Sequence, residues 1–283
     1  MWDHSAPADR KIISTWIIWA KFISTVYFLA ANCVVTVFIM TTTLQQRSSP
    51  KNSTTKFYPF TPQEDSTPSP RYEIKYAVQV ICCFCSMSYI AACDMTGTIL
   101  SFNICGQLAV IRSWLEELAK EKLDPTGKKT DESRQEVLKK CIRRHQLVLD
   151  LCAELEDVNQ YNYLIQLVTE MYIMAISAAQ LTKLQNFGSL RHLITVLLAI
   201  NGLFFSCWPA ETLSAESRNI ATAIYEVPWD DASLSVRAMI IIMLGRSQRP
   251  ATLSAGKFLP LSLEAFSSIT SSGISFCMVL SSF

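Results

Sequence analysis

The sequence predicts an all-α membrane protein built as a helical bundle, and three observations carry that expectation. Half of the 283 residues are hydrophobic and 17% are charged, against the roughly 25% charge usual in soluble domains. Long apolar runs recur along the chain, each near the length of about 20 residues that a helix needs to cross a bilayer core of about 30 Å. Charge gathers in the links between these runs, above all in 112–157, which holds ten Lys or Arg.

Composition removes several function classes. A net charge of +1 offers no electrostatic footprint for nucleic acid. Of ten cysteines, Cys33, Cys82, Cys83, Cys85, Cys93, Cys105, Cys207 and Cys277 lie in apolar segments, where a thiol behaves as a small hydrophobe. Cys82, Cys83 and Cys85 lack zinc-type spacing and partner histidines, so no metal and no cofactor are expected. None of His4, His145 and His192 lies within a span, and neither paired carboxylates nor a serine–lysine dyad is evident, so the chain is not expected to be an enzyme. The polar opening Trp2-Asp3-His4 does not read as a cleavable signal peptide.

The elements follow in order. Residues 1–21 form a lead-in carrying Arg10, Lys11 and Lys21, and 22–41 is an uncharged first span. The link 42–75 is rich in Ser, Thr and Pro, which favours turns and extended chain, and it carries the Asn52-Ser53-Thr54 glycosylation sequon. The second span runs over 76–111, interrupted only by Asp94. As one helix it would be about 54 Å long, so it should project beyond the membrane. In 112–157, Leu138, Ile142, Leu147, Leu149 and Leu155 recur at mixed three-to-four spacing among charges, which reads as helices that continue the second and third spans, broken into two arms at Asp124-Pro125-Thr126-Gly127. A solvated hairpin and a subunit-packing surface both fit this amphipathic pattern. Spans three and four lie within 158–213: 158–182 contains Glu170, and 193–213 contains Pro209 and Glu211. Region 214–264 includes a short helix at 234–244, and 265–283 closes the chain as the fifth span.

Orientation comes from the positive-inside rule, which places 112–157 in the cytoplasm. Alternation then puts the N-terminus inside, Asn52 outside and the C-terminus outside. Charges at membrane depth need partners, so Asp94 is expected to pair with a basic residue or to contact a conduction path, with structural pairing the favoured reading.

The last span is unusual. Eight of its 19 residues are Ser or Thr, and it carries no charge. Ser268, Ser272, Ser275, Val279 and Ser282 follow 4-3-4-3 spacing and share one helix face. Several copies around an axis would make a hydroxyl-lined tube narrowed by a ring of valines, the kind of constriction that gates by dewetting. Small polar residues also serve close helix packing, and the pattern alone leaves both readings open.

The run GKFLPLSLEAFSSITSSGISFCMVLSSF resembles the last helix of insect odorant receptors. The resemblance extends upstream in order: Phe57-Tyr58-Pro59-Phe60 with Ser69-Pro70-Arg71-Tyr72-Glu73, Ile104-Cys105-Gly106-Gln107-Leu108, Ile142-Arg143-Arg144-His145-Gln146, and 217–229 with Tyr225 and Trp229. The resemblance implies a bundle matching helices 3–7 of a seven-transmembrane receptor, with a cytoplasmic N-terminus and an extracellular C-terminus. Helices 1 and 2 would have no counterpart, so a partial sequence or short isoform is expected. It implies a tuning subunit that binds volatile odorants and gates a nonselective cation channel as a heterotetramer with the odorant-receptor coreceptor, in the plasma membrane of olfactory sensory neurons. Val279 aligns with the family's hydrophobic gate region. The family's odorant pocket maps onto Tyr27, Phe28, Ala31 and Asn32, onto Ile81, Phe84, Met87 and Ser88, and onto Val196, Ile200 and Phe204. The alternatives are a gustatory-type channel, a G-protein-coupled receptor and a non-functional truncated isoform. The last-helix pattern of the first is absent, as are the D-R-Y and N-P-x-x-Y signatures of the second.

Overall fold

The computed structural model describes residues 7–48, 55–56, 58, 64–65, 69–120, 128–181, 187–230 and 232–281. Six helices dominate: α1 (Pro7–Ser48), α2 (Arg71–Lys120), α3 (Lys128–Leu181), α4 (Phe187–Tyr225), α5 (Leu234–Ser247) and α6 (Leu263–Ser281). Two short antiparallel pairs complete the described elements: β1 (Thr55–Lys56) with β2 (Glu64–Asp65), and β3 (Ser254–Ala255) with β4 (Leu259–Pro260). By length and composition α1, α2 and 192–225 within α4 are apolar enough to cross a membrane. The third and fifth expected spans fall in the C-terminal part of α3 and in α6.

The helices run past the boundaries that hydropathy suggests. α1 begins at Pro7, whose fixed φ and missing N–H suit the first helical position. It continues to Ser48 because neither Gly nor Pro interrupts 42–48, and Pro50 is the next breaker. The 50 residues of α2 correspond to about 75 Å of helix, well beyond a bilayer core. α3 is continuous for 54 residues, so its charged and apolar stretches are one rod. The short helix expected at 234–244 is α5, one turn longer.

α4 stays helical through Pro209, which cannot donate to the carbonyl four residues earlier. That carbonyl, of Phe205, accepts instead from the buried Thr98 hydroxyl on α2 at 3.3 Å. The group freed by the proline is thereby satisfied, as a buried backbone acceptor must be.

Contacts divide the chain into two units. The first combines residues 1–22, 97–166 and 205–266, and the second 23–96, 167–204 and 267–283. Among the described helices, α1, α2, α3, α4 and α6 each contribute to both units, and α5 lies in the first.

In the first unit, Cys105, Leu108, Ile111 and Leu115 of α2 are wholly buried, as are Leu138, Cys141 and Val148 of α3 and Ile220 and Ile224 of α4. Their three- and four-residue spacing gives each helix one core face. Gly106 lets the Trp16 side chain come within 3.3 Å of where a Cβ would stand. Trp16 stacks on Phe102 at 5.9 Å between centroids, and Phe102 meets Trp208 edge-on at 5.5 Å, which ties α1, α2 and α4 together. The β3–β4 turn uses left-handed φ of +63° at both Gly256 and Lys257. It is held to α3 by Gly256 N–H donating to Gln160 O at 3.0 Å and by Ser254 Oγ donating to Glu156.

His145 lies on the core face of α3, outside the expected spans, and is 3% exposed. Burial first, and the nearby Arg246 second, push its pKa down to about 4. The unfolded chain therefore binds a proton that the folded chain refuses between about pH 6.5 and 4. Stability from this group is complete above that window and falls as pH drops through it. The melting temperature of detergent-solubilised protein should decline from pH 6.5 to 4.5, and His145→Gln should flatten the decline. An equally steep decline in the variant would remove His145 as its source.

The second unit is built from the remaining parts of α1–α4 and α6. Its buried positions include the small residues Ala31, Ala91 and Ala199, which permit close helix approach of the kind membrane bundles use. Large apolar side chains such as Leu29, Ile81, Tyr89, Tyr172 and Leu197 stay exposed. That surface suits lipid as solvent.

Candidate ligand site and pore helix

Polar rungs join α1 and α2 within the second unit. Tyr27 donates its hydroxyl to Asp94 Oδ2 at 2.9 Å, Ser88 Oγ donates to Asn32 Oδ1 at 3.3 Å, and the Thr43 and Tyr76 hydroxyls lie 3.0 Å apart. As residue numbers fall on α1 they rise on α2, so the helices are antiparallel neighbours in one consistent register. Asn32 is oriented by its own amide, which donates to the Phe28 carbonyl at 2.8 Å.

The Asp94 partner corrects the expectation of a base. Neither 22–46 nor 76–111 contains Lys or Arg, so no cation stands on either helix at that depth. A phenol supplies the hydrogen bond instead. Asp94 itself belongs beside the candidate pocket although the resemblance did not bring it in. Its signal was present as the lone carboxylate in a long apolar run. Glu170 of α3 lies against α4, where Gly202 leaves the space its carboxylate occupies.

The expected ligand residues all fall in the second unit. Ala31 is buried, and Tyr27, Asn32, Phe84, Met87, Ser88, Val196, Ile200 and Phe204 are half-buried. Asn32 and Ser88 touch. Phe28 and Ile81 are 42% and 62% exposed, so they lie on the outer surface of this chain. Asn52 lies outside the described residues.

On α6 the serines face away from the chain's own packing. Gly273 abuts Met174 of α3, where an added Cβ would stand 2.8 Å from the terminal methyl. Ser268, Ser272 and Ser275 lie about 100–200° around the helix from Gly273, at 3.6 residues per turn, and all three are exposed. Ser275 Oγ donates to the Ser271 carbonyl at 2.9 Å, so its hydrogen-bonding needs are met within the helix. Val279 belongs to α6, but its side chain lies outside the described residues, as does Ser282.

This arrangement can present a hydroxyl-bearing face to a neighbour or to water, and can hold a mixed apolar and polar pocket between helices. A family model described as 7tm Odorant receptor matches residues 6–273. Odorant receptor 10 of Aedes albopictus is 26% identical over 224 residues, covering 78% of this chain and 58% of that protein. The odorant receptor coreceptor of Ooceraea biroi is 24% identical over 160 residues, covering 55% of this chain and 34% of the coreceptor. The structure of the olfactory receptor OR5 from Machilis hrabei, in complex with eugenol, matches with a TM-score of 0.73 over 96% of this chain and 69% of that one. At 15% identity that likeness shows the shared fold. The chain spans little more than half the length of the mosquito receptor it matches. With the family model covering nearly the whole sequence, the chain belongs to the 7tm odorant receptor family.

Proposed function

We propose that this chain is an odorant-binding subunit of a ligand-gated, nonselective cation channel, working in the plasma membrane of olfactory sensory neurons in a heterotetramer with the odorant-receptor coreceptor. The observation that carries the reading is the exposed serine stripe of α6, set opposite the face that packs through Gly273. A helix that used its hydroxyls for packing inside this chain would bury them. Copies of α6 facing one another would enclose a path lined by small hydroxyls, which suits hydrated cations without strong selection among them.

Ligand gating needs a pocket coupled to that path. The Asn32–Ser88 contact gives an apolar setting of aromatic, aliphatic and Met side chains a small number of directed polar groups, the composition a volatile ligand requires. Such a ligand biases the channel only by binding its open form more tightly than its closed form. The walls offered by Phe84, Met87, Val196, Ile200 and Phe204 would supply that difference through contact area.

Co-expression with the coreceptor in a heterologous cell is the test. Odorant application should evoke cation current that persists with G-protein signalling blocked and disappears when the coreceptor is omitted. Current that needs G-protein signalling, or that survives without the coreceptor, would overturn the channel or the partner assignment respectively.

A further inference from the structure

The first unit contains a cleft of about 540 Å³ that the channel reading does not use. Its lining is Trp114 of α2 with Glu136, Lys139, Lys140, Arg143, Arg144 and Leu147 of α3. The α3 residues recur at alternating spacings of three and one, so they form a single helix face. The opposite face, with Leu138, Cys141, His145 and Val148, is in the core. The basic face is therefore fixed outward.

Two of its cations, Lys140 and Arg144, are held in place. Lys140 Nζ sits 4.0 Å from the Trp114 ring centroid, and Arg144 Cζ lies 5.0 Å from it. Arg144 also donates through Nε and Nη2 to Gln107 Oε1. The Trp114 ring is anchored by its indole N–H, which donates to the buried Asp9 at 2.9 Å. Four cations thus share one cleft with one carboxylate, and none of the four forms an ion pair among the described residues. Lys139 with Arg143, and Lys140 with Arg144, are like charges four residues apart, a spacing at which they disfavour the helix. A bound anion would reverse that cost.

We infer that this cleft binds a multiply phosphorylated small anion. Arginine forks and lysine ammoniums match phosphate oxygens in charge and geometry, and the volume exceeds what one phosphate fills. Two sources offer that chemistry: a soluble organic polyphosphate and a phosphoinositide headgroup. The helix favours the soluble one. Along α3 the lining residues lie 11 to 22 positions before residue 158, where the apolar stretch begins, or about 16–33 Å of helical rise. The headgroup layer reaches only about 5–8 Å beyond the hydrocarbon.

The experiment uses the full chain in detergent micelles, titrated with inositol hexakisphosphate and, separately, mixed with vesicles bearing phosphatidylinositol bisphosphate. Inositol hexakisphosphate should bind saturably, with an affinity that falls steeply with salt. The double variant Lys139→Gln/Arg143→Gln changes exposed side chains only, so its fold should survive, and it should weaken binding at least about tenfold, as two lost charge-assisted contacts imply. Glu136→Gln should tighten it. Lys257→Gln, on the β3–β4 turn, should leave it unchanged. Absence of saturable binding to either probe overturns the site, as does equal binding by the folded double variant or an equal loss in Lys257→Gln. Capture by the vesicles that inositol hexakisphosphate fails to displace would overturn the soluble source.

Discussion

A cysteine placed at Ser272 should react with a water-borne, membrane-impermeant thiol reagent, and the adduct should cut odorant-evoked current in the complex with the coreceptor to roughly a tenth, because a charged group would then occupy a narrow conduction path. The prediction rests on the outward exposure of Ser268, Ser272 and Ser275 and on the burial of the opposite face against Met174. A thiol reacts as thiolate, and in this uncharged stretch an apolar setting suppresses the thiolate whereas water stabilises it. Reactivity therefore reports water, not mere absence of protein. Ile269, half-buried and on the Gly273 side of α6, is the matched control. Ile269→Cys should remain unmodified under the same conditions. If Ser272→Cys stays unreactive in open and closed channels while folding and conducting normally, the stripe faces lipid or a partner helix. The pore assignment would then fall, leaving the family membership intact.

The helical architecture was legible because its signals are local. Long apolar runs located α1, α2 and α4, and the paired Pro125 and Gly127 marked where α2 must end before α3 begins. The far end of α1 was less legible than the extension of α2 and α3 beyond their apolar runs. Hydropathy sees the solvent a segment prefers, whereas the backbone continues until a residue breaks it, and 42–48 contains no breaker. The motif Ile104-Cys105-Gly106-Gln107-Leu108, noticed for its resemblance, turns out to be a physical junction. Cys105 and Leu108 are wholly buried, Gly106 admits Trp16, and Gln107 accepts from Arg144.

The partners of single polar residues were not legible, because they come from other helices whose rotation the sequence does not encode directly. Thr98 could not be matched to the carbonyl released by Pro209, more than a hundred residues away, nor Tyr27 to Asp94. The candidate ligand residues Phe28 and Ile81 depend on helix rotation in the same way. Depth along a helix can be counted from residue numbers, but which face turns inward is decided by packing, and both side chains remain substantially exposed.

Gly97→Val should be the most damaging single change at a helix crossing in the first unit. Gly97 is buried on α2, and a Cβ there would collide with the hydroxyl of Tyr163 on α3 and stand 3.2 Å from its ring Cζ. Tyr163 is itself 8% exposed, so its ring has little room to retreat. The Gly97 carbonyl is also engaged, accepting from the buried Ser101 hydroxyl at 2.8 Å, which leaves the backbone poorly placed to shift. Overpacking a close-packed contact costs about 1–3 kcal/mol, and valine adds a branched side chain to a helix position where glycine's own propensity penalty is only about 1 kcal/mol. The valine variant should therefore lose most of its folded, surface-delivered population. The cause can be separated from a general intolerance of substitution. In Gly97→Ala combined with Tyr163→Phe the colliding oxygen is gone and only the tight Cζ contact remains. Alanine also improves helix propensity, so this double variant should recover melting temperature and surface delivery toward the parent, while Gly97→Ala alone stays below it. Coupling between the two positions is expected because they share one contact. Additive losses in the double variant would mean that Gly97 serves something other than this crossing.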